Sequence, residues 1–156
     1  MIDGHLRWDF EAPFNELKIG LKKAFAKYGD EIESIGIDTW GVDYGLLDEA
    51  GKLISTPICY RDDRTKGMLE LAFQKLPKEE FFQHAANQFM EINTAFQLLS
   101  SVSELESAEK LLFMPDLFNY FLTGKCYNEF TISSTSQLMN SLTHQWDDVI
   151  FERLGL

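Results

Sequence analysis

Ser34-Ile35-Gly36-Ile37-Asp38-Thr39-Trp40-Gly41-Val42-Asp43-Tyr44-Gly45-Leu46-Leu47-Asp48 is the stretch whose reading decides the fold. Ile35 and Ile37 form a short β-leaning run that ends at Asp38, and polar residues and glycines follow it. That order places the polar residues at the carboxyl end of a strand, where open α/β sheets bind their ligands. Gly41 lets a ligand approach the backbone. Trp40 offers a flat apolar face for the C–H groups of a sugar ring, and Asp38 and Asp43 can accept hydrogen bonds from hydroxyls. A tight turn around a core Trp, with two capping or solvated aspartates, fits the same residues.

Upstream, Gly4-His5-Leu6-Arg7-Trp8 reads as a strand end, and Asp9 to Ala12 leads into Pro13, a favoured first-turn residue. Phe14, Leu17, Leu21, Phe25 and Tyr28 recur at helical spacing, with lysines on the other faces and Gly29 as the stop. Ile32, Ile35 and Ile37 then form the β-leaning run. Strand, helix, strand is the grammar of an α/β layer. Downstream, Asp48-Glu49-Ala50-Gly51 is a hairpin turn between Tyr44–Leu47 and Lys52–Ile54, and Pro57 to Tyr60 is another short strand. From Thr65 to Ser107 the pattern is helical, broken near Pro77 and around Asn87 to Asn93. Leu111 to Met114 reads as a strand, and Pro115 opens a helix that Gly124 ends. Glu129 to Met139 shows no clear period, and Ser133 to Ser136 favours a loop or cap.

The chain has 156 residues, enough for one domain, without repeats, low-complexity tracts or linkers. Apolar residues at 45% and charged residues at 25% are the proportions of a globular protein. With 14 Lys+Arg against 25 Asp+Glu the formal net charge is −11, which argues against nucleic acid or an anionic membrane as partner. No apolar run is long enough to span a membrane, and the opening Met1-Ile2-Asp3-Gly4-His5 is no signal peptide. Cys59 and Cys126 make neither a disulfide framework nor a metal cluster and read as two buried thiols in a reducing cytoplasm.

Several motifs fail on spacing. Thr123-Gly124-Lys125 resembles the end of a P-loop, but Asn119 and Cys126 stand where Gly and Ser/Thr belong. His5, His84 and His144 are scattered and read as surface or interface polar groups. Tyr60-Arg61-Asp62-Asp63-Arg64-Thr65 offers two arginines and two aspartates for a polyol or phosphate. The same cluster also fits local Arg–Asp pairs with an Asp or Thr capping the next helix.

Together the Ser34–Asp48 and Tyr60–Thr65 segments resemble the FGGY carbohydrate kinases, and within them the kinases of L-rhamnulose. Gly4 to Asp9 and Phe113 to Leu138 agree, and the Asn87-Gln88-Phe89, Asn93-Thr94 and Gln97-Leu98 positions resemble the stretch lining the sugar cleft, so the likeness runs along essentially the whole chain. It implies an α/β fold: an incomplete RNase H-like domain of the actin/hexokinase superfamily, with a mixed sheet and flanking helices. Residues 1–156 would be part of the N-terminal domain, without its opening phosphate-loop hairpin and without the C-terminal domain.

The implied reaction is transfer of the ATP γ-phosphoryl to the 1-hydroxyl of L-rhamnulose with Mg²⁺. Neither ATP nor metal is expected on these residues, and the chain alone is expected to be inactive. The glycine that matches Gly41 contacts the sugar in that family, which implies a sugar contact at Gly41, with Trp40 and Asp43 lining the same pocket and Tyr60 a weaker candidate. No catalytic, cofactor-binding or metal-binding residue is assigned here. A fuculose or xylulose kinase, or a stand-alone sugar-binding or regulatory pseudo-kinase domain, are the alternatives. An exposed sheet edge suggests a homodimer.

Overall fold

The computed structural model, which describes residues 1–156, is organised around one antiparallel pair, β1 (Tyr44–Leu47) and β2 (Lys110–Phe113). Tyr44 lies opposite Phe113 and Leu47 opposite Lys110. Alternation along the pair sends side chains into two separate apolar clusters. Tyr44, Leu46 and Phe113 face the larger one, while Leu47 and Leu112 face the smaller. Between the latter, Gly45 is required by close packing: a Cβ there would sit 2.8 Å from methyl carbons of both Leu117 and Leu53. The mixed sheet implied by the family resemblance is represented within these residues by this pair.

The larger cluster is covered by α2 (Met68–Lys75), α3 (Lys78–Ala85), α4 (Thr94–Leu99) and α8 (Asp148–Leu154). Phe81, Phe96 and Phe113 are fully buried in it, each worth about 2–3 kcal/mol by removal from water. Pro77 separates α2 from α3, and residues 86–93 separate α3 from α4, at the expected breaks. A short α5 (Val102–Leu105) leads into β2. The smaller cluster joins Phe10 and Phe14, at the start of α1 (Glu11–Tyr28), to Leu117 and Phe118 of α6 (Met114–Thr123). Asp9 accepts the Ala12 N–H at the start of α1, and Gly29 and Gly124 end α1 and α6 as expected. The hairpin turn also forms, with the Asp48 N–H donating to Lys52 O at 2.9 Å. The aperiodic Glu129–Met139 stretch contains a single turn, α7 (Phe130–Ser133), then a 3-10 turn over Ser134–Ser136.

Three expectations are corrected. The β-leaning run from Ile32 to Asp38 is extended but is no strand: no backbone N–H from 33 to 40 donates to a backbone carbonyl. A strand exists only where a second one faces it, and none lies alongside. Gly4–Trp8 and Pro57–Tyr60 meet only through the Arg7–Ile58 bridge, with Trp8 N–H donating to Pro57 O at 2.9 Å. Of the two thiols, Cys59 is buried, with its pKa raised by desolvation, whereas Cys126 is partly exposed.

Candidate functional site

At the mouth of β1 the backbone makes a strained turn. The Asp43 N–H donates to Gly41 O at 2.9 Å, closing a γ-turn whose central residue, Val42, has φ 66°. Positive φ is costly for a β-branched residue and persists only where the surroundings impose it. Here the Val42 carbonyl accepts Thr94 Oγ1 at 2.8 Å and Gln97 Nε2 at 3.2 Å, both from buried positions of α4. Gln97 is the hub: its Nε2 also reaches Ile92 O at 2.8 Å, and its Oε1 accepts Arg64 at 2.6 Å.

The Asp43 carboxylate, 0% exposed, fixes the side chains around this turn. One oxygen, Oδ2, accepts the indole N–H of Trp8 at 2.6 Å, that of Trp40 at 2.9 Å and the Tyr60 backbone N–H at 3.2 Å. Its Oδ1 accepts Gln97 Nε2 at 3.2 Å. Desolvation raises the Asp43 pKa above the usual carboxylate value, and these donors oppose the rise.

In front of the turn lies an open cavity of about 480 Å³. Trp40, Gly41, Val42 and Tyr60 form one wall, residues 87–93 supply Asn87, Gln88, Met90, Ile92 and Asn93, and Thr135 closes the side. No lining side chain is charged. A Cβ on Gly41 would lie 3.2 Å from Thr135 Oγ1, so this glycine sits where two walls meet. Asn87 Nδ2 donates to Ser134 O at 2.5 Å and Gln137 Nε2 to Asn87 O at 3.0 Å, tying the 87–93 loop to the Thr135 segment.

Three of the four residues singled out from the sequence, Trp40, Gly41 and Tyr60, thus line one cavity. Asp43 stands behind the wall, its acceptors occupied by protein donors. Asp38 lies on the other side of Trp40, in a cleft with Pro13, Leu17 and Phe118. The Tyr60–Thr65 cluster is not self-paired. Arg61 stacks 5.3 Å from the Tyr60 ring, and Arg64 reaches Gln97 and Ser101. Asp62 accepts from Leu6 N, His5 and Arg64 N and so caps the 3-10 turn at Asp63–Thr65, while Asp63 pairs with Lys66 at 2.8 Å. Of the three histidines, His5 meets Asp62, His84 meets Asp147 at 2.7 Å, and His144 packs on Phe130. Thr135 carries no sequence signal of its own, because only tertiary folding brings it to Gly41.

The FGGY family of carbohydrate kinases, N-terminal domain, matches residues 2–156. A rhamnulokinase of Halalkalibacterium halodurans is 41% identical over 157 residues, 98% of this chain and 33% of the relative. One of Bacteroides thetaiotaomicron is 42% identical over 159 residues, again 33% of its length. The crystal structure of a gluconate kinase from Lactobacillus acidophilus covers 99% of this chain and 32% of its own, with TM-score 0.86 at 16% identity. That likeness concerns the fold alone, the α/β actin/hexokinase-like fold of sugar kinases. The chain spans about a third of the length of the curated relatives it matches.

Proposed function

The chain belongs to the FGGY family of carbohydrate kinases, and from that premise we propose that it carries the sugar-facing wall of a kinase phosphorylating L-rhamnulose at its 1-hydroxyl. The observation that carries the reading is the cavity beside Gly41: an aromatic face, amides and a hydroxyl, and no charged side chain. Such a lining suits a neutral polyol, whose C–H groups lie on Trp40 and whose hydroxyls meet Asn87, Gln88, Asn93 and Thr135. Tyr60 bounds the same space. Asp43 acts from behind, holding Trp40 and the Tyr60 backbone in place.

In the reaction, the sugar hydroxyl attacks the γ-phosphorus of ATP as its proton passes to a base and ADP leaves. No three His, Cys, Asp or Glu side chains of this chain converge on a metal position, and no segment has phosphate-loop spacing. ATP and Mg²⁺ are, in this reading, held mainly outside these residues, the metal by one or two carboxylates and the phosphates themselves. In this reading residues 1–156 are part of the first domain, and the phosphate loop, the base and the adenosine pocket belong to other parts of a cytoplasmic enzyme. No helix is long and apolar enough to cross a membrane. The chain's contribution is to bind and orient the acceptor. The unpaired segment 33–40 and the exposed Phe25 and Tyr28 support self-association of the isolated chain.

Titrating L-rhamnulose into the chain is expected to show saturable binding in the millimolar range, about −4 kcal/mol. Gly41→Val, which crowds Thr135 and fills the cavity, is expected to weaken it by about tenfold or more. Absence of saturable binding, or an unchanged variant, overturns the assignment. With Mg-ATP added, the chain is expected to release no ADP; turnover would show that it carries its own catalytic groups.

A further inference from the structure

We infer that Asn93 is a specificity-determining residue whose Oδ1 accepts one hydroxyl of the ketose, an inference that rests on the sugar-binding reading above. Asn93 lines the cavity yet is only 2% exposed. It stands at the N-cap position of α4 with φ −65° and ψ 147°, the backbone of a capping Asn, but its side chain makes no capping bond. Its Nδ2 donates instead to Gln88 O at 2.8 Å, and no protein donor meets Oδ1. Of the Ala95 and Phe96 N–H groups, which a capping oxygen would ordinarily serve, that of Phe96 reaches the Asn93 backbone carbonyl instead, at 3.0 Å. Oδ1 is not sealed from water, so until a ligand enters its donor is the solvent of the cavity. A neutral hydroxyl entering the cavity replaces it.

Of the other amides nearby, those of Asn87 and Gln137 are tied through nitrogen, while the Gln88 carboxamide has no protein partner. Asn87 Nδ2 and Gln137 Nε2 both make the ties that close the cavity's side, and the unpartnered Gln137 Oε1 belongs to a residue that does not line it. Nδ2 of Asn93 spends one of its two hydrogens on Gln88 O, which fixes the orientation of the carboxamide and sets Oδ1 as its free acceptor. Asn93 therefore reads a donor, and a sugar lacking that hydroxyl leaves the oxygen unpaired. Such rejection of a missing hydroxyl is stronger than an apolar pocket achieves against an extra one.

The test is a mutant cycle on the 156-residue chain, reading dissociation constants by ligand-observed NMR for L-rhamnulose and its 3-deoxy and 4-deoxy analogues. The native chain is expected to bind one analogue about five- to tenfold more weakly than L-rhamnulose. Asn93→Leu is expected to bind that analogue and L-rhamnulose equally. Loss of the tie to Gln88 alone would weaken all three sugars together and leave their ratio unchanged. If Asn93→Leu does not fold, Asn93→Asp, which keeps an oxygen in place, is expected to preserve the ratio between the two sugars. L-rhamnulose binding with no analogue made equal by Asn93→Leu, or with the ratio lost in Asn93→Asp, overturns the role of Asn93 alone. No saturable binding of L-rhamnulose by the native chain overturns the sugar site and this inference with it.

Discussion

The backbones of residues 33–40 and 41–44 adjoin in sequence and stand at opposite extremes of hydrogen-bonded constraint. In the turn, a strained Val42 is held by α4 hydroxyl and amide groups, and one carboxylate gathers four donors. In the preceding segment no backbone N–H finds a backbone carbonyl, and Ile35 is 48% exposed. The difference teaches that the cavity wall does not inherit its geometry from the strand-like run leading to it. It is set from behind, by α4 and by Trp8.

The sharpest way to break that comparison is Asp43→Ala, which strands two indole N–H groups, the Tyr60 N–H and one Gln97 amide hydrogen bond. The expected loss is about 4 kcal/mol in urea denaturation; a loss within about 1 kcal/mol would mean that the turn is held elsewhere.

A second buried carboxylate sharpens the contrast. Asp116 has a single donor, the Glu129 N–H at 3.2 Å, and burial pushes its pKa up to about 6. Because the folded value exceeds the unfolded one, the folded chain binds more protons between them. Stability contributed by this group falls as pH rises from about 4 to about 6. Asp116→Asn is expected to raise Tm by about 3 °C at pH 7 and to leave it nearly unchanged at pH 3.5, by differential scanning calorimetry.

The smallest effect is expected in the unpaired segment. Ile35→Ser should change stability by less than about 0.5 kcal/mol yet reduce self-association in sedimentation velocity. A cooperative loss of stability would show that the segment is packed in solution.

Where a signal is local, the sequence carries it. Pro115 and Gly124 bracket α6, Gly29 closes α1, and Asp48–Gly51 turns the hairpin, because caps and turns are chosen by residues a few positions apart. Ile32–Asp38 has the composition of a strand, but pairing depends on a neighbour that composition cannot supply. The last helix, α8, was not legible, although Asp147 caps it through the Val149 and Ile150 N–H groups. At the site, Trp40, Gly41 and Tyr60 were readable as a wall. Asp43 reads equally as ligand contact or structural acceptor until Trp8 is brought beside it. Of the Asn87-Gln88-Phe89 stretch, the two amides line the cavity while Phe89 packs against Phe73 and Phe81.

Trp8 and Trp40 share one carboxylate oxygen, and their rings lie 4.4 Å apart, tilted by 43°. Two indoles so close, in a fixed and chiral arrangement, couple their electronic transitions and leave a paired band in circular dichroism. The third Trp, Trp146, is 40% exposed and packs on Phe151 instead. The molecule thus carries an optical reporter at the back of its own cavity, one that needs no label and goes dark if the aromatic wall comes apart.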